Sequence, residues 1–190
     1  MLKLNKETHT YTDENGKAYI SVTQLIDAAG LKSSYDSGTT YYTDLGEAVH
    51  KLLELYDKDD LGEYNPAYQP YLDAWIKFKK DYPGLDEALV DIKTGQKYKW
   101  HPIQTAGYQV LYECHGLKGC HIELPLNNST FAGTIDRIYS STGKIKKRMA
   151  VYISPEGYKV EDHRDVNDFL VFNATLILYT FKNTRKKRID

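Results

Sequence analysis

The sequence predicts a single α/β domain in which helices pack around a mixed β-sheet. Three observations carry this. Short apolar runs with strand character, "AYISV", "ALVDI", "TFAGTIDRIY" and "RMAVYIS", alternate with segments of helical period. The turns at Asn15-Gly16 and at "PEG" are hairpin signals, so antiparallel pairs accompany the strand–helix connections and the sheet is mixed. With 190 residues and 41% hydrophobic content, the chain can bury one sizeable core but not two independent ones.

Each element follows from local chemistry. "HTYTDENGKAYISV" gives two alternating runs around Asn15-Gly16, a hairpin. Ser21 and Gln24 form a capping-box pattern that opens a short helix ending near Gly30, and residues 1–30 form an N-terminal appendage. Residues 31–42, rich in Ser, Thr, Tyr and Gly, read as a loop. From Thr43 the pattern is helical, with Leu45, Val49, Leu52, Leu53 and Tyr56 on one face. A second helix follows Pro66, with Tyr71, Leu72, Trp75 and Phe78 as its stripe, and Pro83-Gly84 ends it. "EALVDI" is a strand, and Pro102 suits the first turn of the helix that follows. "HIELPL" and "TFAGTIDRIY" are two strands joined around Asn127-Asn128-Ser129. "RMAVYIS" turns at "PEG" into "YKV", and Asp165 caps a last helix with Phe169, Phe172, Leu176 and Tyr179 in its core stripe.

Bulk properties narrow the function. No apolar run reaches the length of a membrane span, and "MLKLNKETHT" lacks a signal-peptide core. Two cysteines, Cys114 and Cys120, make no disulfide framework, and the expectation is a cytoplasmic protein without a membrane partner. A net charge of −1 means that any nucleic-acid surface is local rather than global. "CHGLKGCH" suggests zinc weakly, because its first Cys and His end a helix.

Polar residues inside apolar strands are the chemical signal. In "VDIKTG", alternation puts Asp91 and Lys93 on one face; taken alone, such a pair is usually a solvated edge. In "GTIDRI", Asp136 repeats the theme after Gly133, whose missing side chain permits close backbone approach. Gly46 stands one helical turn before His50 and leaves room beside the imidazole. If these segments adjoin, two carboxylates and an imidazole meet one ammonium, and buried like charges demand a compensating cation. A hard divalent ion, Mg2+ or Mn2+, suits that donor set. Lys93 then serves a phosphate or the attacking water, while Gln104 and Tyr108, one turn apart, offer hydrogen bonds to phosphate oxygens.

Together, "GEAVH", "GTID", "VDIKTG" and "QTAGY" resemble the motifs G-x-x-x-H, G-x-x-D, (D/E)-x-K and Q-x-x-x-Y of the PD-(D/E)XK nuclease superfamily, especially its RecB-like phage and recombination exonucleases. The resemblance spans nearly the whole chain. It implies a three-layer α/β/α sandwich with a restriction-endonuclease-like core and a metal-dependent deoxyribonuclease acting on DNA, most simply an exonuclease. It implies Asp91, Asp136 and Lys93 as catalytic residues, and metal held by His50, Asp136, Asp91 and the Ile92 carbonyl. It further implies Gln104 and Tyr108 at the DNA backbone, Glu123 as a further ligand candidate, and a homo-oligomer or a phage recombination protein as partner. A catalytically inactive DNA- or protein-binding module on the same fold is the alternative.

Segment order departs from that family. Exchanging residues 86–117 with 118–145 restores it, as a natural or engineered rearrangement would. The site survives such an exchange if "GTIDRI" still lies beside "ALVDI" and antiparallel to it. The cost is a left-handed crossover from "ALVDI" through the "QTAGY" helix into "HIELPL", which natural parallel connections avoid.

Overall fold

The computed structural model describes residues 3–5, 10–32, 40–115, 121–124 and 129–186. Strands β1 (Lys3–Asn5), β2 (Thr10–Thr12) and β3 (Ala18–Ser21) come first, followed by α1 (Val22–Ala28), α2 (Thr40–Asp57) and α3 (Gln69–Asp81). Then come β4 (Ala88–Lys93), α4 (His101–His115), β5 (His121–Leu124), β6 (Ser129–Ala132) and β7 (Arg137–Tyr139). The described chain closes with β8 (Lys147–Ser154), β9 (Gly157–His163) and α5 (Asn167–Lys186). The protein is mixed α/β, as its sequence predicts, but its strands form two mixed sheets rather than one. One runs β1-β2-β3-β6-β5 and the other β7-β4-β8-β9.

Local signals act where the sequence places them. Gly16 adopts φ +77° in the hairpin turn, and the Asp13 carboxylate accepts hydrogen bonds from the amides of Asn15 and Lys17. Ser21 and Gln24 form the complete capping box of α1. Asp165 accepts from the Asn167 amide at the start of α5. The α2 helix begins at Thr40, inside the stretch that reads as a loop. The N-terminal hairpin is knit into the fold, because β3 pairs in parallel with β6 and α1 lies against α4 and α5.

The segment "TFAGTIDRIY", expected as one strand, is two. β6 pairs with β3 and β5, the chain leaves the ladder over Gly133–Asp136, and β7 pairs with β4 in the other sheet. "GTIDRI" therefore does lie beside "ALVDI" and antiparallel to it, with Val90 opposite Arg137. The left-handed crossover does not arise, because β4 and β5 belong to different sheets. A four-residue interruption lets the chain change sheets without breaking a parallel crossover rule.

Alternation sets which faces are covered. Val90, Ile92, Met149, Val151 and Ile153 pack with Val49, Leu53, Leu72, Trp75 and Phe78 of α2 and α3. Alternate residues turn toward α4: Leu89 packs with Tyr112, and Arg148 donates to the Pro102 carbonyl at 2.9 Å. A second core joins Val22, Leu25 and Ile26 of α1 to Leu111, Phe131, Phe172 and Leu176. Gly107 makes that junction close: a Cβ there would sit 2.6 Å from the Phe172 ring and 2.9 Å from Val22.

Asp57, at the end of α2, ties the first core to β7. Its carboxylate accepts from the Trp75 indole at 3.0 Å, from Lys79 at 2.9 Å and from the Arg137 guanidinium. Burial opposes its charge, but hydrogen bonds from Lys79, Trp75 and Arg137 hold it below the usual carboxylate range. A depressed folded-state value means that this stabilisation is fully present above about pH 4 and is lost as pH falls through that value. Asp57→Asn is expected to cost about 2 kcal/mol near neutral pH and to flatten the acid side of the stability profile, measured by urea unfolding between pH 2 and pH 7. Phe78→Ala is expected to cost about 3–5 kcal/mol in the same assay.

Candidate functional site

β4 and β7 part company at one point, and a cleft of about 700 Å³ opens there. Their ladder ends at Val90–Arg137. Continued in register, it would next bring the Ile135 carbonyl to the Ile92 amide. The Asp136 side chain takes that place instead: Ile92 N–H donates to Asp136 Oδ2 at 2.7 Å. Backbone N–H and C=O of one strand residue point to the same side, so the Ile92 carbonyl faces the same open edge. His50 and Asp136 meet here although 86 positions apart, with His50 Nδ1–H donating to Asp136 Oδ1 at 3.0 Å.

Asp91 and Lys93 share the α4-facing side of β4. Their charges lie 2.9 Å apart, yet without hydrogen-bond geometry, and Asp91 Oδ2 is buried with no hydrogen-bond partner. Lys93 Nζ donates instead to Gln104 Oε1 at 2.8 Å. The Gln104 amide nitrogen donates in turn to the hydroxyls of Thr23, at 2.8 Å, and Tyr108, at 3.0 Å.

Electrostatics differentiate the two carboxylates. Burial pushes Asp91 up to about 6; Lys93 counters this and the Asp136 charge adds to it. Burial also opposes the charge on Asp136, but His50, Lys93 and the Ile92 amide overcome it and hold the carboxyl low. For His50, burial disfavours the proton, while the charge and hydrogen bond of Asp136 outweigh it and raise the imidazole. Tyr108 is raised well above its ordinary value by burial and by both aspartates, so its hydroxyl stays neutral.

Of the residues that the sequence singles out, His50, Asp91, Ile92, Lys93, Tyr108 and Asp136 line one cleft. Gln104 is buried behind Lys93 with its amide engaged by protein. Glu123 lies on β5 opposite Thr130, in the other sheet, and its side chain is outside the described residues. Cys120 is outside them too. Gly46 makes room for Thr94 rather than for the imidazole, since a Cβ there would meet Thr94 Oγ1 at 3.1 Å. Gly133 similarly admits the Tyr108 ring, 3.0 Å from where its Cβ would stand.

Thr23, Trp100 and His101 are among the cleft residues that escape the sequence reading. Thr23 anchors Gln104, Trp100 lies under the Lys93 ammonium at 6.0 Å, and His101 hydrogen-bonds the Tyr152 hydroxyl at 2.8 Å. Burial, with the charges of Lys93, His163 and Lys97, drives His101 down to about 3. The aromatic-rich "KYKWH", one residue after "VDIKTG", is the one signal that points to Trp100 and His101.

Among the described residues no three His, Cys, Asp or Glu side chains are gathered as a metal cage. The carboxylates of Asp91 and Asp136, the His50 imidazole and the Ile92 main chain line the same cleft, and Asp91 Oδ2 lacks hydrogen-bond geometry. The Asp91 oxygen without hydrogen-bond geometry is neutralised by the Lys93 ammonium at 2.9 Å.

No protein-family profile matches the chain, and neither a curated protein nor a solved structure shows significant similarity to it.

A carboxylate with a raised folded-state value costs stability at neutral pH, and that cost disappears as pH falls from about 6 toward the unfolded value near 4. Asp91→Asn is therefore expected to stabilise the fold by about 1 kcal/mol or more at pH 7.5, with the gain vanishing near pH 4, as read by thermal unfolding across that range. Asp136→Ala is expected to act in the opposite sense, costing about 1–3 kcal/mol, because the buried Ile92 amide loses its acceptor.

Proposed function

We propose that this protein is a divalent-metal-dependent phosphodiester hydrolase acting on DNA, built on a three-layer restriction-endonuclease-like core. The observation that carries the reading is that Asp91 and Lys93 of β4 share one cleft with Asp136, from a separate stretch of chain, with the Lys93 ammonium 2.9 Å from a buried Asp91 oxygen that lacks hydrogen-bond geometry. The four-motif resemblance to PD-(D/E)XK nucleases supports it further.

Asp91, Asp136 and the Ile92 carbonyl would hold Mg2+ or Mn2+, with His50 able to join for manganese. When bound, such a cation supplies Lewis acidity and a water of lowered pKa. The chain supplies positioning and charge. Lys93 offers its ammonium protons to a phosphate oxygen or to the attacking water, and Gln104 holds that ammonium in place. Asp136 keeps His50 in the tautomer that carries its proton on Nδ1, leaving Nε2 as the free lone pair of the neutral ring. Tyr108, neutral and anchored through Gln104, presents a hydroxyl in the cleft. Trp100 walls the cleft beside Lys93, its ring centroid 6.0 Å from the ammonium.

One observation favours a second reading, a non-catalytic DNA- or protein-binding module on the same fold. Lys93 and His50 already sit against Asp91 and Asp136, so the charges are largely compensated without a metal.

End-labelled linear and closed circular DNA, incubated with Mg2+ or Mn2+ and with or without chelator, separates the two. The expected outcome is chelator-sensitive cleavage that requires a free end. Lys93→Ala is expected to lower the rate by about 100-fold or more while leaving metal affinity largely intact, because a protonated lysine has no lone pair to donate. Asp136→Asn is expected to weaken metal binding itself in calorimetry. Metal affinity retained in Asp136→Asn and lost in Lys93→Ala would reverse these roles, and no cleavage with either ion would favour the binding module.

A further inference from the structure

The charge on Lys93 sets the direction of a chain of hydrogen bonds. An ammonium has no lone pair, so Lys93 Nζ meets the oxygen of the Gln104 amide, at 2.8 Å. A flipped amide would set donor against donor there. With its oxygen turned to Lys93, Gln104 gives its amide protons to Thr23 Oγ1, at 2.8 Å, and to Tyr108 Oη, at 3.0 Å. Both hydroxyls therefore accept from Gln104, and each keeps a proton of its own.

Counting those two protons shows what the cleft receives. The hydroxyls are close enough for one to donate to the other, which uses at most one proton. Among the described residues neither donates elsewhere. At least one O–H is left to point away from Gln104. Thr23 and Tyr108 are half-buried, and both line the cleft that holds Lys93. Tyr108 keeps its proton, because burial and the charges of Asp91 and Asp136 push it well above its ordinary value. A hydroxyl donor beside an ammonium suits an anionic oxygen, and such charge-assisted hydrogen bonds are the strong ones.

The fold brings Thr23 to this place. The Ser21–Gln24 capping box fixes the first turn of α1, where Thr23 stands. Its neighbour Val22 packs close to α4 at Gly107, where a Cβ would lie 2.9 Å from the Val22 side chain. That close approach seats Thr23 on Gln104, 81 positions away.

We propose that Thr23 belongs to the substrate-binding machinery: the Thr23–Tyr108 hydroxyl pair and the Lys93 ammonium form a cradle for one non-bridging phosphate oxygen of the DNA strand. Gln104 is the positioning residue that aims all three groups, and it faces the protein rather than the DNA. The inference rests on the phosphodiester reading of the cleft.

Fluorescence anisotropy of the full chain with a short labelled oligonucleotide, single-stranded and duplex, in Ca2+, tests it. Thr23→Val and Tyr108→Phe are each expected to weaken binding about 3-fold or more, and the double variant about 10-fold or more, with circular dichroism unchanged. Thr23→Ser, which returns the hydroxyl, is expected to recover most of the loss. In nitrogen-15 spectra without DNA, the Gln104 side-chain amide is expected to shift in T23V and to return in T23S; an amide indifferent to T23V would overturn the positioning chain. Full affinity in T23V with a loss in Y108F would remove Thr23 from the cradle. DNA binding or cleavage unchanged in the double variant would overturn the cradle and leave the hydrolase reading standing, whereas a wild-type chain that binds neither oligonucleotide would overturn both.

Discussion

Asp136 Oδ2 accepts the Ile92 amide at 2.7 Å, and much of the molecule is arranged around that one bond. A strand that stops beside its neighbour leaves a backbone donor exposed inside the protein, which costs about as much as the hydrogen bond it loses. Here a carboxylate supplies the acceptor, and three consequences follow. β7 can begin late, so a cleft opens at the sheet edge. The carboxylate is fixed by the backbone and not by a rotamer alone. A charge is drawn into a buried place, where His50 and Lys93 must balance it.

The balance is uneven. Asp136 is satisfied on both oxygens, by the Ile92 amide and by His50, and is held ionised. Asp91 is buried, short of hydrogen bonds and raised to about 6. Around them the fold is conventional. Trp75 and Phe78 fill one core, and Phe131 and Phe172 fill the other. Polar groups bridge the layers: half-buried Asp57 links α2, α3 and β7, and buried Arg148 links β8 to α4 and α5.

The inner face of α5 completes the second core through Phe172 and Leu176.

Local chemistry determined most of the elements. The hairpin at Asn15-Gly16, the Ser21–Gln24 capping box, the stripes of α2, α3 and α5 and the strand "ALVDI" are all written in spacing and turn residues, because these depend on neighbours a few positions away. The candidate site was legible as residue types: polar groups inside apolar strands are costly enough to mark themselves, as Asp91, Lys93 and Asp136 do. Tertiary structure decided the rest. No local signal distinguishes one long strand at "TFAGTIDRIY" from two short ones in different sheets, since the choice rests on what β3 and β4 offer as pairing partners. Nor does spacing show that Gln104 turns inward to Lys93, that Gly46 accommodates Thr94, or that Thr23 and His101 join the cleft. Those contacts join segments up to 81 positions apart, as Thr23 and Gln104 are, and such pairs meet only once the sheets have formed.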